Sequence, residues 1–472
     1  MTESIEIVTI KDREKRRGRT AAPCRSSFRR ETDKRKRKGE PGMATGVSAL
    51  VQQIQNGEYD EAFRTLYGKE AVAAQRERYC RAAEEFGSLF GMEREVLLFS
   101  APGRTEIGGN HTDHNHGRVL AASVNLDVIA VASPSAEGRI RVKSEGYPMD
   151  TVSLEDLSVQ EEEFGRSSAL IRGMAGRFIG QGFSAGGFDA YTTSNVLKGS
   201  GLSSSAAFEV LTGTILNHLF NGGRVSAVAI AQMAQYAENV HFGKPCGLMD
   251  QMASSVGGII TIDFADPAEP IIHQVPFDFR RSGYHLCIVD TGGNHADLTP
   301  EYAAVPAEMK AVAASLGVAF LRETDWQTLR KALPSLRKQH GDRAVLRAMH
   351  FLKENDRVAA QVAALENGEF PRFLELILAS GHSSFEYLQN VYPCSLPNEQ
   401  GLSLALCLAQ SLLEGKGAWR VHGGGFAGTT QNFVPDALLE EFRREMEAVF
   451  GEGSCHVLNI RPCGGVRLDT LL

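Results

Sequence analysis

The chain of 472 residues has no run approaching the roughly 18 consecutive apolar residues that a membrane-spanning helix requires, and its N-terminus lacks the apolar core of a secretory signal. These absences exclude a helical membrane protein and lead us to expect a cytoplasmic location. Cysteines are few and scattered: Cys24, Cys80, Cys246, Cys287, Cys394, Cys407, Cys455 and Cys463 include no CxxC pair, so neither a disulfide framework nor a zinc ribbon is expected. Positive charge is scarce outside one segment. Residues 1–42 hold 14 of the 50 Lys and Arg and only 7 of the 57 Asp and Glu, which leaves 36 basic and 50 acidic residues beyond them. Such an acidic body gives no electrostatic footprint for nucleic acid.

The basic leader also lacks apolar periodicity. It cannot bury enough surface to offset its ordering entropy, so residues 1–42 are expected to be disordered. Met43 then reads as the start of the folded chain and as the expected point of translation initiation. The remaining length is too great for one ordinary core and predicts two domains of roughly 200 residues.

What is present alternates between helix and strand. Val47 to Phe90 has helical spacing, with Leu50, Ile54, Phe63, Leu66 and Tyr67 set among charged residues. "EVLLFSAPG" (95–103), "VLAASVNLDVIAVASP" (119–134) and "IRVKSEG" (140–146) read as strands, because β-branched residues recur between turn signals. "SALIRGMAGRFIGQG" reads as a helix ended by glycine, and a further helix is expected from about Ser204. The polar, proline-bearing stretch 263–282 marks a boundary, giving domains 43–282 and 283–472. Beyond it, helices at 300–360 and 400–414 alternate with strand-like runs at 419–422, 428–434 and 455–460. The class is α+β.

Two stretches carry concentrated chemistry. "GRTEIGGNHTDHNHGRVL" (103–120) sets His111, His114 and His116 around Asp113, which taken alone admits either a metal cluster or a loop built for a ligand with many hydroxyls. "GSGLSSSAAFEVLTGTIL" (199–216) turns backbone N–H groups toward one point ahead of a helix N-terminus, an arrangement suited to phosphate. It has no Walker lysine, and Ser204 stands where the dinucleotide fingerprint needs a third glycine.

Together with "ENVHFGKPCGLMDQ" and "VHGGGFAGTT", these stretches make the chain resemble the galactokinase family of the GHMP small-molecule kinases. That family has the sugar signature GRxNxIGEHTDYNxGxVL, then GxGLSSSA, CGxMDQ and GGGFGG, and all four occur here in order across residues 95–470. The resemblance implies a two-domain fold, ribosomal S5 domain 2-like at the N-terminus and ferredoxin-like α+β at the C-terminus. It implies ATP-dependent phosphorylation of the anomeric C1 hydroxyl of galactose, with ATP and Mg²⁺ as cofactors. The expected partners are the sugar and ATP alone, without nucleic acid or membrane, on a monomer or weak oligomer.

By the same resemblance, Gly199, Ser200, Gly201, Leu202, Ser203, Ser204 and Ser205 cradle ATP, while Ser205 and Glu238 hold magnesium, a cation that takes few hard oxygen ligands from protein. Asp250 is the catalytic aspartate, accepting or orienting the proton of the attacking hydroxyl, and Arg104 stabilises the transferring phosphoryl group. Asn110, His111, Thr112 and Asp113 correspond to the sugar-binding tetrad, and Tyr302 to a tyrosine that touches the sugar. The GGGFAG loop, Gly423 to Gly428, supports the region with backbone only. His114 and His116 are expected to be supporting or exposed.

Several positions depart from the family pattern. Leu197 replaces a proline, Glu106 an asparagine, His114 a tyrosine and Asn110 the signature glutamate. Losing a charged hydrogen-bond partner at 110 would weaken sugar binding by about 1–2 kcal/mol, near tenfold. If residue 110 faced the C6 position, the change would also remove about 4 kcal/mol of repulsion toward a uronic acid, which makes galacturonate the alternative substrate. The rivals from other classes are a catalytically silent sugar-sensing regulator and a metallo-hydrolase using the histidines of the signature.

Overall fold

The computed structural model describes residues 45–196, 201–293 and 298–472. The expected leader, Leu197 of the departures, and Gly199 and Ser200 of the phosphate loop lie outside these residues. After the short strand β1 (Thr45–Gly46), the helical segment divides into α1 (Val47–Gln55), α2 (Asp60–Tyr67) and α3 (Val72–Phe90). The breaks fall where Gly57 and Gly68 take positive φ. The apolar faces of these helices, with Leu50, Ile54, Phe63, Leu66 and Phe86, pack on Leu98, Ile129 and Val131 of the first sheet.

Among the described residues that sheet has nine strands. It contains β2 (Glu95–Gly108), β3 (Arg118–Pro134), β4 (Arg139–Ser144), β5 (Met149–Ser153) and, after α4 (Ser167–Gly180), β6 (Phe188–Ser194). The order runs β1-β2-β3-β6-β4-β5, and among the described residues only β4 and β6 pair in parallel. Then α5 (Ser204–Phe220), α6 (Ala227–Tyr236) and α7 (Met249–Val256) precede β7 (Ile259–Asp263) and β8 (Ile271–Gln274), with β7 paired to β3. Helices α4 and α5 close the second face of the sheet: Ile171, Met174, Val210, Leu211 and Ile215 share one core with Phe99, Leu120 and Ala130. Strand β2 is so apolar on both faces because it has helices on each side.

The second sheet has four antiparallel strands in the order β10-β11-β9-β12, namely β9 (Tyr284–Asp290), β10 (Ala418–Val421), β11 (Thr429–Pro435) and β12 (Cys455–Leu458). Helix α8 (Thr299–Ser315) packs on α9 (Trp326–Glu366), which reaches β2 and β3 of the first sheet and is interrupted at Gly341 by a non-helical φ of 80°, while α10 (Phe370–Ser383), α11 (Gly401–Leu413) and α12 (Leu439–Phe450) pack on the four-stranded sheet. The passage between sheets falls after β8. The chain nevertheless returns, because β13 (Val466–Arg467) pairs with β2. Phe279, Phe370, Phe373 and Phe433 from the later part of the chain belong to the same apolar cluster as Phe99 and Phe178. No helix among the described residues is long and apolar enough to cross a membrane.

Candidate active site

The site begins at an irregularity in β2. Its register against β3 shifts between Pro102 and Arg104 and again between Glu106 and Gly108, and such bulges re-aim side chains. Gly103 permits the next step: a Cβ there would stand 2.8 Å from the Leu202 carbonyl, so only glycine lets β2 come this close to the glycine-serine loop. The Arg104 N–H donates to that carbonyl at 3.0 Å, and its guanidinium donates to the Gly201 carbonyl.

From this anchor the guanidinium reaches Asp250 in the first turn of α7. Nε donates to Oδ1 at 2.7 Å, and Nη2 lies 2.6 Å from Oδ2. The Ser203 hydroxyl donates to the same Oδ2 from a left-handed backbone conformation, φ 61°, just before α5. Burial opposes the charged form of Asp250, yet the Arg104 charge and the Ser203 hydroxyl outweigh it and hold the carboxyl below its ordinary range. Asp250 is therefore an ionised acceptor beside the open N-terminal turn of a 17-residue helix.

A second acidic centre lies one step away. Glu238 sits on a single π-helical turn, Ala237–His241, that continues α6, and only 2% of it is exposed. Its Oε1 accepts from the Ser205 hydroxyl at 3.1 Å and from the Lys244 ammonium at 3.1 Å, while Oε2 accepts from the Gln251 amide at 2.7 Å. The same amide nitrogen lies 3.2 Å from Oε2 of Glu209, whose other oxygen is buried without a hydrogen-bond partner among the described residues. Burial, and next the Glu238 charge, push the Glu209 carboxyl well up. Ser205 and Glu238 offer the hard oxygen donors that magnesium takes, and the Lys244 ammonium paired with the same Glu238 oxygen would have to give way to the cation.

The expected sugar residues divide. Asp113 lies against the segment carrying Asp250: a Cβ on Gly247 would stand 1.9 Å from Asp113 Oδ2, so glycine at 247 makes room for the carboxylate. His111, half-buried at φ 56°, meets the Gly424 carbonyl through Nε2 at 2.9 Å, and burial pushes its imidazole down, toward the neutral form. The Tyr302 hydroxyl donates to the Gly425 carbonyl at 2.8 Å. Thr112, by contrast, is fully buried and has its hydroxyl within 2.8 Å of the Gly109 carbonyl and 2.6 Å of the Arg118 carbonyl, so it closes the signature's turn.

Asn110 is also fully buried. Its amide nitrogen donates to the Gly423 carbonyl at 2.6 Å and to Glu106 Oε1 at 3.1 Å, and its oxygen accepts from Asn390 at 2.8 Å. The negative charge missing from 110 is thus present four residues earlier, paired with Arg420 at 2.7 Å.

The remaining histidines of the signature diverge. His114 is exposed, and His116 stacks on Phe320 with ring centroids 3.6 Å apart. Among the described residues no group of three or more His, Cys, Asp and Glu side chains is placed to hold a metal ion.

Sequence reasoning missed several members. His422 is buried beneath Gly201 between Thr429 Oγ1, 2.9 Å from Nδ1, and Thr105 Oγ1, 3.1 Å from Nε2. Burial, then Arg104 and Arg420, push it well below its usual range, so it is a neutral spacer. His422, Lys244 and Gln251 all stand inside quoted motifs and could have been found there. Arg420 and Asn390 carry no local signal for their contacts with Glu106 and Asn110, which lie 314 and 280 positions away.

Beyond the site, a cavity of about 1040 Å³ opens in front of Ser204 and Ser205 and is lined by Tyr147, Met149, Val196 and Phe208. Its lining mixes these apolar and aromatic side chains with Glu145, Asp150, Glu162 and Glu163.

Comparison with known proteins gives the family. Residues 84–134 match the galactokinase galactose-binding signature, and residues 169–258 match the GHMP kinases N terminal domain. The chain is 32% identical to the galactokinase of Streptomyces coelicolor over 390 residues, covering 81% of this chain and 97% of that one. It is 31% identical to the galactokinase of Thermotoga neapolitana over 354 residues, covering 75% and 94%. The crystal structure of Lactococcus lactis galactokinase complexed with galactose superposes with a TM-score of 0.71 at 25% identity, covering 81% of this chain and 98% of that one. Mevalonate kinase, with a TM-score of 0.55 at 14% identity, shares the fold. The four motifs, their assembly around Arg104 and Asp250, and relatives that match over nearly their full length agree: this chain belongs to the galactokinase family.

Proposed function

We propose that the protein transfers the γ-phosphoryl group of ATP to the anomeric C1 hydroxyl of galactose, giving galactose 1-phosphate and ADP. One observation carries the reading: Arg104 grips both oxygens of Asp250 at the mouth of the glycine-serine loop. The C1 oxygen forms a bond to the γ-phosphorus as the bond to the ADP oxygen breaks, and the hydroxyl proton leaves toward Asp250. A carboxylate held this acidic is a poor base in the ground state, so Asp250 orients the hydroxyl and accepts its proton as the nucleophile becomes positive. Arg104, fixed between that carboxylate and the Gly201 carbonyl, supplies a planar positive group to the charge spreading over the phosphoryl oxygens.

Gly199 to Ser205 cradle the phosphates in this reading, with the base in the cavity beside Phe208. Ser205 and Glu238 hold Mg²⁺, which when bound neutralises phosphate charge. Asp113 and His111 grip sugar hydroxyls, with Tyr302 alongside. Thr112 and Asn110 serve the pocket by holding its walls. Assembly of the acid, the arginine and the metal pair favours an enzyme over a silent sensor. Dependence on ATP and a free sugar suits a cytoplasmic setting.

The test is ATP consumption in the presence of galactose, galacturonate, N-acetylgalactosamine or arabinose, with the product identified by its anomeric phosphorus resonance. Turnover with galactose to a 1-phosphate is expected, and ATP consumption that ignores the sugar would overturn the reading.

A further inference from the structure

The sugar signature has an amide at its fourth position and an acid at its eighth, whereas this chain has Glu106 at the fourth and Asn110 at the eighth. The two side chains touch: Asn110 Nδ2 lies 3.1 and 3.4 Å from the Glu106 oxygens. Either change alone would disturb the contact. Glutamate at both positions sets two buried carboxylates together, and amides at both leave Arg420 buried without its counter-charge. Both changes together keep one carboxylate, one amide and the hydrogen bond between them.

The surroundings are built for this arrangement. Arg420, fully buried on β10, donates to Glu106 Oε1 at 2.7 Å and to the Ile107 carbonyl at 2.5 Å, so the carboxylate is neutralised where it now stands. Asn110 has no hydrogen-bonding capacity left to offer a ligand. Its nitrogen serves Glu106 and the Gly423 carbonyl, and its oxygen serves Asn390 and, at 3.3 Å, Ser384. What it controls is the glycine loop. Successive carbonyls at Gly423, Gly424 and Gly425 are held by Asn110, His111 and Tyr302, three residues expected at the sugar.

We infer that Glu106 and Asn110 are a reciprocal exchange within the sugar signature, coupled through Arg420, and act as a positioning pair that sets the glycine loop against the sugar pocket. This rests on the galactokinase reading above. It deepens that reading by assigning residue 110 to the pocket wall, with the compensating charge behind that wall.

The test is a double-mutant cycle of Glu106→Asn, Asn110→Glu and the two combined, with KM for galactose, KM for ATP and melting temperature measured for each. Each single variant is expected to raise the galactose KM about tenfold while the ATP KM stays within about twofold, and the double variant to return within about threefold of the parent. A double variant whose KM equals the product of the two single effects would overturn the pairing. Should the single variants fail to fold, a double variant that melts cooperatively supports the exchange and one that also fails overturns it. Glu106→Gln gives an independent reading, because it keeps shape and removes charge: a raised galactose KM is expected, and an unchanged one overturns the role of the carboxylate. A parent that lacks galactose-dependent turnover sinks the functional reading instead, and the melting temperatures of the cycle still decide the pairing.

Discussion

Arg104 and Asp250, 146 residues apart in the chain, form a two-pronged ion pair, with contacts of 2.7 and 2.6 Å that use both carboxylate oxygens. The geometry fixes the plane of the carboxylate as well as its charge. A fork-to-carboxylate contact of this kind is more directional than a single lysine contact would be.

Replacing Asp250 by Asn keeps the size and removes both the charge and the proton acceptor. We expect kcat to fall by about 10²–10⁴-fold with ATP affinity retained, measured by coupled ADP release and by calorimetric titration of nucleotide. Activity equal to the parent would remove Asp250 from the reaction.

The pH profile follows from the depressed Asp250. A carboxyl held below the ordinary value of about 3.9 is ionised throughout the neutral range, so kcat/KM should show no acid limb from this group above about pH 5. Its contribution to stability is present above the unfolded-state pKa and is lost as pH falls through the lower folded value. Arg104→Met leaves burial, which raises the pKa, opposed mainly by Ser203. The acid limb should then move upward, and an unmoved limb would mean that Arg104 does not set this pKa.

Glu238→Gln tests the metal assignment. It leaves the hydrogen bond of Ser205 an oxygen partner but removes the charge that also raises the Lys244 pKa. The Mg²⁺ concentration giving half-maximal activity should rise about tenfold or more, read from titrations at fixed ATP. An unchanged Mg²⁺ requirement would return Glu238 to a structural part.

Gly247→Ala places a methyl where the Asp113 carboxylate now lies, 1.9 Å from Oδ2. Asp113 or the α7 segment must shift, at about 1–3 kcal/mol of stability. The galactose KM should rise more than the ATP KM. An equal rise in both would mean that Asp113 is not part of the sugar pocket.

Stability at low pH depends on another carboxylate. Asp127 is fully buried on β3 and accepts from Arg78 at 2.7 Å, Arg461 at 3.2 Å and the Tyr67 hydroxyl, joining α2, α3 and the end of the chain to the sheet. Burial opposes its charge, and the two arginines outweigh burial and keep it below the usual range. Its stabilisation is present above the unfolded pKa and fades as pH falls through the folded value. Asp127→Asn should cost about 3–5 kcal/mol, seen as a lower denaturation midpoint at pH 7, with the difference from the parent shrinking under acid.

The sequence by itself determined which segments could be strands and helices, because apolar periodicity and glycine breaks act over a few residues. It also supplied the proposed reacting groups, because Arg104, Ser203 to Ser205, Glu238 and Asp250 stand in the short motifs that carry the family resemblance. Helix α5 begins at Ser204, where the serine-to-alanine transition predicts it, and strands β3, β11 and β12 fall within a few residues of their expected runs. Only the tertiary structure decided which way the signature residues face. Thr112 and Asn110 read in sequence like their neighbours His111 and Asp113, but a turn with positive φ at Gly109 and His111 sends alternate side chains inward and outward. The exchange of acid and amide between 106 and 110 likewise looked like two separate departures. It became one pair when folding brought Arg420, more than 300 residues away, within hydrogen-bond reach of Glu106, since a buried carboxylate is tolerated only where a counter-charge meets it.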